Sequence, residues 1–197
     1  LFNKAKYRIN IDHHQSNEFY GDVNIVKKGY SSTCELVFDL INEINLPIDK
    51  EISMSLLTGI STDTGRFLYS ATTADTLAKA SRLVENGADM MKINELIYQS
   101  KKFEAQLLEN EILSKTEIYN DYVAFSFVMT DQLNKYNVEI SDIDSVINTF
   151  RDTDKIKISV LIKQQTENEY KVSFRSKGNI DVGLIAKNLG GFALLKT

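Results

Sequence analysis

Both histidines of the chain stand in one tripeptide, Asp12-His13-His14. Neutral imidazole is a strong ligand for divalent first-row metals, and a neighbouring carboxylate adds a hard oxygen donor. A second imidazole beside the first can meet a phosphate or move a proton near neutral pH. The tripeptide follows Tyr7-Arg8-Ile9-Asn10-Ile11, which reads as a short strand, and ligands bind at strand ends in open α/β sheets. Taken alone, it fits equally well a strand-end aspartate capping a loop beside two incidental histidines.

Gly59-Ile60-Ser61-Thr62-Asp63-Thr64-Gly65-Arg66-Phe67 forms a second cluster. Asp63, among hydroxyls in a glycine-bounded turn, is a candidate metal ligand, with Thr64 placed to orient it. Arg66 can face a phosphate bidentately. By itself this stretch is explained better as a helix end followed by an ordinary polar turn.

The elements that must position these residues follow from periodicity. Val23 to Val26 reads as a second strand. Cys34, Val37, Phe38, Ile41 and Ile44 recur at helical spacing, with Ser32 and Glu35 in the capping-box relation. Those hydroxyls can also greet an anion at the helix start, although capping accounts for Ser32. Ile52 to Ile60 reads as a second helix. Thr72 with Asp75 opens a third, which Gly87 closes. Met90 to Tyr98 and Phe103 to Leu113 are further helices. Past Ser114 the character changes. Glu117 to Tyr119 and Tyr122 to Met129 read as strands around Asn120-Asp121. Ile143 to Phe150 is helical, Lys157 to Lys163 and Tyr170 to Arg175 pair as strands, and Val182 to Leu189 closes as a helix. Tyr119, Tyr122, Phe125 and Phe127 can stack on bases, but alternating strand aromatics are expected in a core.

Composition bounds the rest. With 43% hydrophobic and 25% charged residues over 197 positions, the chain is globular in character. A formal net charge of -4 argues against an electrostatic grip on long nucleic acid. It leaves open a small phosphorylated substrate whose charge a metal neutralises. No stretch is long and apolar enough for a membrane helix, and the first residues lack a signal-peptide pattern. The single cysteine, Cys34, fits a reducing, cytoplasmic setting.

Taken in order, Asn10 to His14, Ser31-Ser32-Thr33-Cys34-Glu35 and Gly59 to Phe67 resemble the DHH phosphoesterases. Within that family they are similar to the stand-alone nano-RNase and 3′-phosphoadenosine-5′-phosphate (pAp) phosphatase branch. Val172-Ser173-Phe174-Arg175-Ser176-Lys177, followed by Ile180-Asp181-Val182 and Ile185-Ala186-Lys187, resembles the DHHA1 substrate-binding domain of the same family.

The resemblance implies an α/β chain of two domains with a cleft between them: a parallel-sheet DHH domain at 1–105, incomplete at its start, and a smaller mixed-sheet DHHA1 domain at 106–197. It implies two divalent cations, manganese in both places, with His13 and Asp63 as ligands and Asp12 orienting the site. His14 is implied to touch the scissile phosphate, and Arg175 and Ser176, with Arg66, Gly190 and Gly191, to bind the substrate. The expected substrates are short oligoribonucleotides and pAp, with a homodimer left open. Competing expectations are a cyclic dinucleotide phosphodiesterase and a non-catalytic nucleotide-binding relic; an inorganic pyrophosphatase fits the Arg175 region less well.

Two departures from the family pattern bear on this expectation. The family's His-x-x-x-Asp-x-Asp segment and a further aspartate precede the DHH triplet, whereas Leu1 lies only eleven residues before Asp12. The chain as written is therefore expected to be inactive unless residues precede Leu1. At the other end Gly190-Gly191 passes directly to Phe192, where the family carries a longer glycine-rich turn, so a missing loop is expected there.

Overall fold

A computed structural model describes residues 4–14, 16–178 and 180–190, with the backbone alone at Arg151. Its contacts divide the chain between Gln99 and Ser100 into two compact units.

The first unit opens with β1 (Ile9–Asp12) and β2 (Val23–Val26), which run parallel with Asn10 opposite Asn24 and Asp12 opposite Val26. Arg8 clamps the entry, its Nε and Nη2 donating to the two oxygens of Asp22 at 3.0 and 2.9 Å. Four helices follow: α1 (Thr33–Glu43), α2 (Lys50–Asp63), α3 (Ala74–Glu85) and α4 (Met90–Tyr98). Their apolar stripes meet in a core that includes Phe38, Leu56, Leu57, Ile60, Leu83 and Ile93.

Caps explain the helix starts and correct two expectations. Ser32 accepts from Glu35 N as its spacing predicts, but the Glu35 carboxylate passes Ser32 by and takes the backbone N–H and hydroxyl of Ser31 instead. α3 is capped by Thr73 rather than Thr72, because Thr73 and Thr76 exchange side-chain and backbone hydrogen bonds. α2 runs longer than Ile52 to Ile60, so Asp63 is its last residue and not part of a loop.

The second unit begins with α5 (Phe103–Ser114) and continues through β3 (Glu117–Tyr119), β4 (Val123–Val128), α6 (Thr130–Tyr136), a 3-10 turn at Ile140–Ile143, α7 (Val146–Arg151), β5 (Ile158–Gln164), β6 (Tyr170–Ser176) and α8 (Val182–Asn188). The sheet order is β3-β4-β5-β6, parallel between β4 and β5 and antiparallel elsewhere. Asn120 and Asp121 both take the left-handed backbone of a tight turn. Leu108, Ile112, Val128, Ile143, Val146 and Leu161 form the core. The expected mixed α/β architecture, one parallel sheet and one mixed sheet, is what the structure shows.

The strand aromatics depart from expectation. Tyr119, Tyr122 and Phe127 are exposed. On β4 the buried face is Ala124, Ser126 and Val128. Burial alternates along this period-two strand, so Phe127 faces out while Phe125 is half-buried. Among the described residues no helix is long and apolar enough to cross a membrane.

Candidate metal centre

β1 ends at Asp12, so the tripeptide stands at the carboxyl end of a parallel strand. The Asp12 carboxylate is committed to its own loop. Oδ1 accepts from the backbone N–H of His13 at 2.7 Å and of His14 at 3.2 Å, and from His14 Nδ1 at 2.6 Å. Oδ2 accepts from Asn17 Nδ2 at 2.5 Å. Burial pushes this carboxyl up, but the hydrogen bonds from Asn17, His14 and the two backbone amides outweigh it and hold it far below the ordinary carboxylate range. With both oxygens occupied, Asp12 organises the loop.

His13 is oriented from the other side. Its Nδ1 lies 3.1 Å from the Tyr30 carbonyl oxygen. A carbonyl only accepts, so Nδ1 carries the proton and the lone pair of the neutral ring is on Nε2. That Nε2 is buried and has no hydrogen-bond partner. It stands 3.7 Å from Asp63 Oδ2. A buried polar atom without a partner is costly, and the 3.7 Å gap is too long for a hydrogen bond. Two donors each about 2.1 Å from one cation lie roughly this far apart when the angle between them is about 120°. The orphaned nitrogen and the carboxylate therefore fit a divalent ion.

His14 lies beside His13, ring centroids 4.3 Å apart. Its Nδ1–H is spent on Asp12, which leaves Nε2 as an acceptor on a ring 45% exposed. Among the described residues, ligand atoms of Asp12, His13 and His14 all lie within 4.8 Å of one another. The hydrogen-bond pattern separates them: Asp12 is engaged by its own loop through both oxygens, His13 presents a lone pair to Asp63, and His14 faces outward.

Asp63 is set by the end of α2. Thr64 caps that helix, its buried hydroxyl donating to the Ile60 carbonyl at 2.6 Å and accepting from Phe67 N at 3.0 Å. Gly65, Arg66 and Phe67 then all take left-handed backbone conformations. For Arg66 and Phe67 this costs on the order of 1–3 kcal/mol each; the Ser61 carbonyl holds the Arg66 N–H at 2.8 Å and the Thr64 hydroxyl the Phe67 N–H.

The remaining expected residues fall elsewhere. The Arg66 guanidinium lies 4.9 Å over the Tyr98 ring. Arg175 and Ser176 sit at the end of β6 in the second unit; Arg175 Nη1 donates to the Phe174 carbonyl at 2.8 Å and Ser176 Oγ to the Ile180 carbonyl at 2.7 Å. Gly190 has a left-handed φ of 79°. Gly191 and the Gly191–Phe192 join lie outside the described residues.

Asn17 and Tyr30 are the neighbours of Asp12 and His13 that spacing did not single out. Asn17 also accepts from Asn10 Nδ2 at 2.8 Å, and Asn10 is buried. An asparagine in the middle of an otherwise apolar strand was the available signal. Tyr30 acts through its backbone, for which a sequence carries no signal.

The DHH family, N-terminal domain, matches residues 2–60, and the DHHA1 domain matches residues 120–192. The bifunctional oligoribonuclease and PAP phosphatase NrnA of Thermus thermophilus is 31% identical over 93% of this chain and 55% of its own length. The probable enzyme of that name from Streptococcus mutans is 28% identical over 95% of this chain and 60% of its own. The crystal structure of an exopolyphosphatase-related protein from Bacteroides fragilis superimposes with a TM-score of 0.84 at 28% identity, covering 90% of this chain and 53% of that one. The chain thus spans little more than half the length of these relatives.

Proposed function

As this chain belongs to the DHH family and carries a DHHA1 domain, we propose that it is part of a metal-dependent phosphoesterase that hydrolyses short oligoribonucleotides and pAp. The observation that best supports this reading is the orphaned His13 Nε2, buried and aimed at Asp63 Oδ2 across 3.7 Å. His13 and Asp63 would hold the cation. The two relatives whose names join oligoribonuclease to PAP phosphatase guide the choice of substrates.

A divalent ion held here would supply a water of lowered pKa and neutralise phosphate charge. One imidazole and one carboxylate would give one ion two of its donors. A pair of Mn2+ ions, which we favour, needs donors beyond His13 and Asp63. The chain's own residues then do the placing. Asp12 locks the loop through its hydrogen bonds, and His14 offers a half-exposed Nε2 that, once protonated, donates to a phosphate oxygen. Arg175 and Ser176 bind substrate as well, a guanidinium being suited to phosphate. The net charge of -4 suits small nucleotides better than long nucleic acid. The cytoplasm is the compartment in which such substrates and the free thiol of Cys34 are both at home.

The test is Mn2+-dependent turnover of pApA, pAp and c-di-AMP by the protein carrying this chain. Hydrolysis of pApA and pAp, abolished by EDTA and by Asp63→Asn, is the expected result. Cleavage of c-di-AMP alone transfers the activity to cyclic dinucleotides, and no cleavage of any substrate overturns the enzyme. Arg175→Ala should raise KM for pApA, and an unchanged KM removes Arg175 from substrate binding.

A further inference from the structure

Lys79 is a cation on α3 that is only 7% exposed. Its Nζ contacts Asp39 Oδ2 and Asp75 Oδ2, each at 2.7 Å, and Glu35 Oε1 at 3.3 Å. It also stands 4.8 Å over the ring of Tyr30. The Tyr30 hydroxyl donates to the same Asp39 oxygen at 2.8 Å. On the other side of the peptide, Ser31 donates to Glu35 Oε2 through its backbone N–H at 2.9 Å and its hydroxyl at 2.5 Å. The Tyr30–Ser31 peptide is therefore held from both ends by carboxylates that share one lysine. Its carbonyl is the acceptor of His13 Nδ1.

Joining α1 to α3 does not require this arrangement, because Thr76 Oγ1 already donates to Glu35 across those helices at 3.2 Å. What Lys79 adds is a fixed position for Tyr30. We propose that Lys79 is a positioning residue for His13: acting through Tyr30, it fixes the carbonyl that keeps the imidazole proton on Nδ1 and so presents the Nε2 lone pair toward Asp63. The inference rests on the reading of His13 as a metal ligand, yet its core, the choice of tautomer, concerns the metal-free protein. Partners that hold the distal nitrogen of a metal-binding histidine are worth about 10–100-fold in metal affinity. Lys79 stands one step further out, behind Tyr30.

Long-range proton–nitrogen NMR of the His13 ring, in metal-free protein and with the imidazole neutral, reads the tautomer directly. Wild type should show Nδ1–H. Lys79→Met should give a mixture of tautomers and about tenfold weaker Mn2+ binding by calorimetry. Lys79→Arg, which keeps the buried charge, should restore most of both. Tyr30→Phe, which removes only a hydroxyl, should move both measurements in the same direction by a few-fold and carries the test should Lys79→Met fail to fold. A folded Lys79→Met, or failing that Tyr30→Phe, with wild-type tautomer and Mn2+ affinity overturns the proposal. A shifted tautomer in a protein that binds no Mn2+ even as wild type upholds the positioning role and sinks the metal reading instead.

Discussion

A Cβ placed on Gly59 would lie 2.2 Å from Cys34 Sγ, so α1 and α2 cross where only a hydrogen fits between them. That crossing sets how far α2 advances, and α2 ends in Asp63. Gly59→Ala should therefore destabilise the fold by about 1–3 kcal/mol through overpacking, measured by urea denaturation. It should also weaken Mn2+ binding by moving Asp63. Adding Cys34→Ala removes the 2.2 Å clash but leaves the Cys34 Cβ position 2.9 Å from the new methyl, so it should recover only part of both losses. A Gly59→Ala protein of wild-type stability would show that the helices separate freely.

The two proposed ligands should be separable from the fold. Asp63 is 47% exposed on its side chain, so Asp63→Asn should leave the melting temperature within a few degrees of wild type. Mn2+ affinity should fall more than the roughly 10–100-fold typical of residues behind a ligand. His13→Ala should lose affinity similarly but also cost stability, because this side chain is only 11% exposed. Calorimetric titration with Mn2+ alone decides it: unchanged affinity in both variants rules the pair out.

Asn17 tests whether Asp12 must be held to work. Asn17→Ala removes the 2.5 Å hydrogen bond to Asp12 Oδ2. Phosphoesterase turnover should fall about 10–100-fold, with circular dichroism unchanged. Asn17→Asp should be worse, since it sets a like charge against the carboxylate. Full activity in Asn17→Ala would mean that the backbone amides suffice.

The Arg8–Asp22 clamp gives a pH signature. Hydrogen bonds from the Arg8 side chain and backbone N–H bring the Asp22 carboxyl from 3.8 down to about 2. A carboxyl depressed in the folded state stabilises it above the unfolded value, and that contribution fades as pH falls from about 4 to about 2. Carbon-detected NMR should place the Asp22 midpoint near 2, and Arg8→Ala should return it toward the ordinary value. The pair is exposed, so the effect on global stability is small. An ordinary midpoint in the wild type would show that the clamp does not persist in solution.

Much of this was legible because it is local. Ser32 capping α1 and the apolar stripe of that helix depend on neighbours within four residues, and a strand's alternation depends on neighbours within two. The start of α3 went one residue astray because Thr72 and Thr73 offer the same hydroxyl, and only the reciprocal bond to Thr76 chooses between them. The outward turn of Tyr119, Tyr122 and Phe127 escaped for another reason. Alternation says that two faces differ, but which face is buried depends on what packs against each strand.

Sequence by itself determined which groups can do chemistry: two imidazoles beside Asp12, a carboxylate at 63, a guanidinium at 175, and the short elements that carry them. Tertiary structure alone decided that His13 Nε2 and Asp63 Oδ2 meet at 3.7 Å, that Asp12 is spent on its own loop, and that a carbonyl held by Tyr30, Asp39, Glu35 and Lys79 selects the His13 tautomer. Local propensity is written in neighbouring residues. Convergence of groups fifty positions apart is set by how closely α1 and α2 can pack, and residue spacing does not record that distance.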